Sequence, residues 1–247
     1  MPPKKRLDSF VLEKRWAASR QRAQAMIMAG KIMVNRQIVD KPGRQVSGND
    51  EVTIQGKDIP YVSRGGLKIE EALRKFQVDV TGWVCMDVGA STGGFTDCLL
   101  QNGAEHVYAI DVGYGQLAWK LRSDPRVTVM ERTNVRYMPL EKIPFPVDIA
   151  AIDVSFISLR IVVPAVLKFL KPRASIIALI KPQFEVGKDK IGKGGVVKDT
   201  RLHQEVVDSL SAFFNGVNLS IESVIPSPLK GPKGNLEFLI YMKWGNK

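Results

Sequence analysis

The sequence predicts an α/β protein built on a mostly parallel sheet, preceded by a small α+β module. Three observations carry this prediction. From Val84 onward, short apolar runs alternate with amphipathic stretches, the pattern of βαβ units whose sheet has helices on both faces. The run VCMDVGASTGGFT, Val84 to Thr96, reads as a strand, a tight glycine turn and a helix start. Residues 1–60 hold 12 Lys+Arg against 6 Asp+Glu, more than half of the +11 net charge of the 247-residue chain. A local surplus of that kind attracts a polyanion, either nucleic acid or an acidic membrane surface.

The elements follow in order. Leu7, Phe10 and Val11 recur at helical spacing. Ser19 suits the cap of a second helix through Ala23, Met26 and Ile27, which stops at Gly30. Short β-like pieces follow at Lys31–Val34, Ile38–Val39 and Glu51–Ile54, with an Asn35-Arg36 turn and turn signals at Pro42-Gly43 and Gly48-Asn49. Gly56–Ser63 reads as a linker, which divides the chain into a domain at 1–59, a connection at 60–65 and a larger domain at 66–247. That domain opens with a helix from about Gly66 to Phe76. Strands are expected at 84–88, 106–111, 127–131, 148–154, 174–181, 217–225 and 236–243, and helices at 94–102, 115–122, 159–170 and 198–214. The last two strands, separated by residues 226–235, are placed to close the sheet as an antiparallel pair.

Composition narrows the class. Apolar residues make up 45% of the chain, enough for a core. The two cysteines, Cys85 and Cys98, read as small buried apolar residues, and with only His106 and His203 they make neither a disulfide framework nor a metal site. This usage fits a reducing cytoplasm. The chain starts polar and charged, without an apolar leader, and no run approaches the ~20 apolar residues that span a bilayer, so no membrane partner is expected.

The glycine turn is not of the dinucleotide type. A dinucleotide turn reads G-x-G-x-x-G and aims a helix N-terminus at pyrophosphate. Here Asp87 precedes Gly89, Ser91 stands where the middle glycine would be, and Gly93-Gly94 follow. An acid inside the turn repels a diphosphate but accepts a hydrogen bond from an ammonium or hydroxyl. S-adenosylmethionine, with a cationic methionine end and no phosphate, suits it. Asp111 ends the next strand and is a second acid for cofactor hydroxyls, and Asn134, after the third strand, is either a group for the adenine edge or an ordinary turn former.

Four polar residues stand where an acceptor would bind. Asp153 ends the fourth strand and Lys181 the fifth, at the carboxyl edge where open α/β sheets take ligands. Lys68 lies at the start of the larger domain in SRGGLK, and Glu237 begins the last strand in GNLEFL. A lysine ending an apolar run accepts a proton if burial or a neighbouring cation such as Lys68 lowers its affinity for one. Asp153 and Glu237 would orient the amines. The set suits methyl transfer to a hydroxyl, a poor nucleophile until deprotonated. Transfer to a base amine calls for a D/N-P-P-aromatic loop where this chain has DVSF, and attack through a pyrimidine carbon calls for a thiol at the acceptor edge.

These residues carry a family resemblance. Lys68, Asp153, Lys181 and Glu237 match in order and context the Lys-Asp-Lys-Glu tetrad of FtsJ-like (RrmJ-type) ribose 2′-O-methyltransferases, which the larger domain resembles. Through SRGGLK, DVGASTGGFTDCLL, ERTNVR, DVSFISL, LIKPQFE and KGPKGNLEF, nearly the whole chain resembles the TlyA family of rRNA methyltransferases, also called hemolysins. The resemblance implies a Rossmann-like sheet, S-adenosylmethionine as donor, and a cytidine ribose in rRNA as acceptor; family members act on both ribosomal subunits or on the large subunit alone, and the compact length leans toward the large one. It implies that Lys181 is the lysine nearest proton removal, and that Gly93, Phe95, Asp111 and Asn134 contact the cofactor. Residues 4–59 resemble the small RNA-binding module of ribosomal protein S-four, through SRQRAQAMIMAGKIMVNRQIVDKPG. Within it Arg6, Arg20, Arg22, Lys31 and Arg36 are the candidate phosphate contacts. The segment EVGKDKIGKGGVVK, residues 185–198, reads as a flexible basic loop near Lys181. Two other readings compete: a membrane-active hemolysin, and a non-catalytic RNA-binding assembly factor.

Overall fold

The structure, a computed structural model, describes residues 4–17, 19–28, 30–54, 59–187, 190–192 and 194–245. The chain divides into two compact units, residues 1–58 and 59–247.

The first unit begins with β1 (Lys5–Arg6), α1 (Leu7–Glu13) and α2 (Arg20–Met28), followed by β2 (Ile32–Val34), β3 (Gln37–Val39), β4 (Gln45–Val46) and β5 (Val52–Ile54). Ser19 caps α2 as its position predicts: its Oγ accepts from the Arg22 amide at 3.1 Å. Asn35 and Arg36 both take positive φ, which makes the tight two-residue turn between β2 and β3. Strands β3, β2 and β5 form one small antiparallel sheet, and β1 pairs with β4 in another. Leu7, Val11, Ala23, Ile27, Ile32 and Val34 form its core.

The second unit runs α3 (Gly65–Phe76), β6 (Val84–Val88), α4 (Gly94–Gln101), β7 (His106–Ile110), α5 (Trp119–Arg122), β8 (Val127–Met130), β9 (Val147–Ile152), α6 (Leu159–Val166), β10 (Leu170–Ile180), α7 (Thr200–Gly216), β11 (Leu219–Pro226) and β12 (Phe238–Trp244). Its seven-stranded sheet has the order β11-β12-β10-β9-β6-β7-β8. The five strands β6 to β10 are parallel, and β12 runs antiparallel to both β10 and β11. The late antiparallel closure is therefore as the sequence predicts.

Alternation along buried strands builds two cores. Met86, Ile152, Ile176 and Ile240 pack with α6 and α7 on one face. Cys85, Ile149, Ile177 and Leu239 pack with α3 and α4 on the other. Both cysteines are buried and free, and burial pushes the Cys98 thiol up to about 12.

Two expectations need correction. Residues 60–65 are not a free connection. Tyr61 is buried and donates to Glu70, the Val62 amide donates to Asp97 at 2.7 Å, and α3 already begins at Gly65. The helix expected over 115–122 is a single turn at 119–122, because residues 112–118 form bends around Asp111, whose carboxylate takes the Gly113 amide.

Candidate active site

Strand order places the site. β6 and β9 lie side by side, with the Asp153 amide donating to the Val88 carbonyl at 2.9 Å, so the glycine turn and Asp153 leave the same edge of the sheet. β12 pairs with β10 through Phe238 and Ile180, so Glu237 and Lys181 stand one step beyond the ladder on neighbouring strands.

Between the turn and the start of α3 lies an open cleft of about 280 Å³. Asp87, Gly89, Ser91, Phe95, Asp153 and Lys68 all line it. Sequence reasoning missed other parts of its wall: Ser63, Arg64 and Gly65 on one side, and Leu229, Lys230 and Gly231 on another.

The candidate acceptor residues form two ion pairs. Lys68 Nζ donates to Glu237 Oε2 at 2.6 Å, and the Glu237 side chain is fully buried. Lys181 Nζ lies 2.6 Å from Asp153 Oδ1 and donates to Ser155 Oγ at 2.9 Å. Ser155 was not anticipated, although it lies two residues from Asp153 in the DVSF loop. Lys181 and Glu237 stand behind the cleft wall, each joined to it through a partner that lines it. Buried charges are tolerated when paired in this way. Glu237 Oε1 remains without a hydrogen bond. It faces Gly231, where an added Cβ would come within 2.1 Å of it, so only glycine fits there without displacing the carboxylate.

The glycine turn is built with similar closeness. Gly89 has φ of 89°, and a Cβ there would lie 2.3 Å from the Asp153 carbonyl oxygen. Asp87 is fully buried: its Oδ2 accepts from the Thr96 amide at 2.9 Å and hydroxyl at 2.7 Å, while Oδ1 has no partner. Burial pushes this carboxyl up to about 7, against the two bonds from Thr96. An unpartnered buried acceptor at a cleft wall fits the ammonium or hydroxyl of a ligand better than a phosphate.

Not every candidate reaches the cleft. Gly93, at φ of 95°, shapes the turn and packs against Leu117 and Leu121 without lining the opening. Asp111 sits one hydrogen bond away: its carboxylate accepts from the Ser91 amide at 2.7 Å and the Gly113 amide at 2.6 Å. Asn134 Oδ1 accepts from the Arg136 amide, the turn-forming alternative for this residue.

Two loops flank the acceptor edge. Glu185 accepts from Ser158 Oγ at 2.6 Å and the Leu159 amide at 2.8 Å, and Phe156 packs against Phe184. These contacts tie the loop carrying Asp153 and Ser155 to the turn after Lys181. Burial raises the Glu185 carboxyl. Of the loop read as flexible, Lys188, Asp189 and Lys193 lie outside the described residues. Its described part is held: Asn235 bridges the Val197 amide and the Gly195 carbonyl, and Lys233 reaches the Gly194 carbonyl at 2.8 Å.

In the first unit Arg6 and Arg20 share Asp8, Arg36 is exposed 3.8 Å from Glu51, and Arg22 and Lys31 are half-buried. Among the described residues, no cluster of three or more His, Cys, Asp or Glu has the arrangement to hold a metal.

Comparison with known proteins decides the family. Residues 61–244 match the FtsJ-like methyltransferase model and residues 5–52 the S4 domain model. The chain belongs to the FtsJ-like methyltransferase family. It is 46% identical to Bacillus subtilis YqxC, named as a candidate rRNA methyltransferase, over 98% of this chain and 86% of that protein. It is 43% identical to the 16S/23S rRNA (cytidine-2′-O)-methyltransferase TlyA of Mycobacterium tuberculosis, over 98% of this chain and 91% of that one. A solved structure from Streptococcus thermophilus, named as a candidate hemolysin, superposes at TM-score 0.79 with 41% identity, covering all of this chain and 90% of that one. As expected from its sequence, this FtsJ-like chain joins an S4 domain to a methyltransferase sheet.

Proposed function

We propose that this protein transfers a methyl group from S-adenosylmethionine to the ribose 2′-hydroxyl of a cytidine in ribosomal RNA, acting on ribosomal subunits in the cytoplasm. One observation carries the reading: the Lys181–Asp153 and Lys68–Glu237 pairs stand at one sheet edge beside the cleft of the glycine turn. The name of the M. tuberculosis relative supports the same reaction.

Bound S-adenosylmethionine supplies an activated methyl carbon on a sulfonium. Asp87, Gly89, Ser91 and Phe95 would hold it, with Gly93, Asp111 and Asn134 fixing the loops around them. The chemistry left to the chain is handling the hydroxyl proton. Lys181, entering as a neutral amine after its ammonium has lost a proton to solvent, receives the hydroxyl proton as the 2′-oxygen attacks. Asp153 and Ser155 hold its amine in place. The Lys68–Glu237 pair keeps a buried negative charge compensated beside the acceptor. In the first unit, Arg6, Arg20, Arg22, Lys31 and Arg36 contact RNA phosphates, which position the substrate without reading its bases.

The test is incubation of ribosomal subunits with methyl-labelled S-adenosylmethionine. Label in rRNA, lost with Lys181→Ala in a folded protein, is the expected result. RNA binding without label would instead leave a non-catalytic assembly factor. Lysis of protein-free liposomes without cofactor would favour the hemolysin reading; among the described residues no helix is long and apolar enough to cross a membrane.

A further inference from the structure

Among the described residues of the first unit, Asp8 is the most heavily bonded carboxylate. It is fully buried, at the second position of α1. Arg6 donates to it twice, from Nε at 3.0 Å and Nη2 at 2.9 Å. Arg20 donates from Nε at 3.2 Å and Gln24 from Nε2 at 3.0 Å, both to Oδ2. The Ser9 amide fixes Oδ1 at 2.9 Å. One carboxylate thus gathers two arginines from different elements, and each arginine remains about half exposed.

The geometry of the guanidinium groups matters. Arg20 uses only Nε inward, and Arg6 uses Nε and Nη2. Among the described residues, Arg6 Nη1 and both Nη atoms of Arg20 have no protein partner. A guanidinium held along one edge keeps its remaining donors in a fixed plane, which is how arginine recognises phosphate. Arg36 differs: it is almost fully exposed, and its loose partner Glu51 lies at 3.8 Å. Arg36 supplies charge, whereas Arg6 and Arg20 supply charge in a set arrangement.

We propose that Asp8 is a positioning residue for RNA binding, whose buried carboxylate holds Arg6 and Arg20 side by side as one phosphate clamp. The proposal rests on the reading that the first unit binds RNA. It goes further in assigning part of that affinity to an acidic residue that touches no RNA. Hydrogen bonds from Arg6 hold the Asp8 carboxyl far below the usual carboxylate range, so it stays ionised around neutral pH.

Charge alone and positioning predict opposite results for Asp8→Asn. The substitution keeps size and removes one negative charge, so electrostatics by itself strengthens RNA binding. Loss of the clamp weakens it. The experiment measures affinity of the full chain for a transcribed large-subunit rRNA fragment over a range of salt, with thermal melting to confirm folding. Asp8→Asn is expected to bind about tenfold more weakly, with a salt slope lower by about 1. Arg20→Lys, which keeps the charge and loses the fork, is expected to weaken binding in the same direction. Unchanged or tighter binding by both, with Arg20→Ala weaker, overturns the positioning role while leaving RNA binding in place. Unchanged binding by the Arg6→Ala, Arg20→Ala double variant overturns both this proposal and the reading beneath it.

Discussion

Asp8 in the first unit and Asp87 in the second are both fully buried, yet their surroundings drive them in opposite directions. Asp8 is surrounded by two guanidinium groups and an amide side chain, and its carboxyl is pushed strongly down. Asp87 has only the amide and hydroxyl of Thr96, and burial pushes it up to about 7. Burial raises Asp87, whereas at Asp8 the hydrogen bonds from Arg6, Gln24 and Arg20 outweigh it. Asp153, Glu237 and buried Asp97 each face a lysine, while half-buried Glu185 is held by a hydroxyl and an amide and is raised. Acids with cations build the Lys181–Asp153 and Lys68–Glu237 pairs and gather Arg6 and Arg20, and Asp97 beside Lys120 also takes the Val62 amide. Glu185, without a cation, holds two loops together, and Asp87 keeps Oδ1 without a partner at the cleft.

Removing the cations tests this division most severely. Lys181→Ala is expected to lower methyl transfer by roughly 10²- to 10⁴-fold, the range of a general base, with circular dichroism unchanged. A loss below tenfold in single-turnover assays would remove Lys181 from the chemistry. Lys68→Ala leaves the Glu237 carboxylate buried without compensation and should cost about 3–5 kcal/mol in urea unfolding. A Lys68→Met, Glu237→Leu double variant should regain much of that stability while staying inactive. Recovery of activity along with stability would show that the pair only supports the fold.

The two aspartates should respond oppositely to pH. Asp87 has a raised pKa, so its contribution to stability is complete below about 4 and is lost as pH rises through about 7. Relative to Asp87→Asn, the wild type should therefore melt progressively lower between pH 4 and 7. Asp8 has a lowered pKa, so its contribution is present above the ordinary carboxylate range and lost only as pH falls below it. Relative to Asp8→Asn, the wild type should gain stability from acid toward neutral pH. Parallel difference curves in scanning calorimetry would erase the contrast. Glu185→Ala should have the smallest effect, about 1 kcal/mol from a lost helix cap. With it should come a drop in kcat that Glu185→Gln largely restores, since the amide oxygen still accepts from the Leu159 amide.

Much of this arrangement was legible in the sequence because it depends on strand ends. Asp87, Asp153 and Lys181 each close an apolar run, and parallel strands bring such ends to one edge. Ser155, Glu185 and Gly231 were not legible as site residues. Their contacts with Lys181, with Ser158 and Leu159, and with Glu237 join segments whose adjacency only the sheet order sets. Strands β1 and β4 were missed because two residues carry no period. Asp111 was legible as a strand-end acid, but its carboxylate turned out to fasten the Ser91 and Gly113 amides, a local bond that spacing does not reveal. Asp8 read as part of a helical stretch, with nothing to mark its burial.

Whether the methyl group reaches a ribose oxygen at the Lys181 edge is read by nucleoside mass spectrometry of rRNA methylated in vitro with isotopically labelled S-adenosylmethionine. Label on the 2′-oxygen of a cytidine, absent with Lys181→Ala, is the expected result. Label on a base, or undiminished ribose label with the variant, would contradict it.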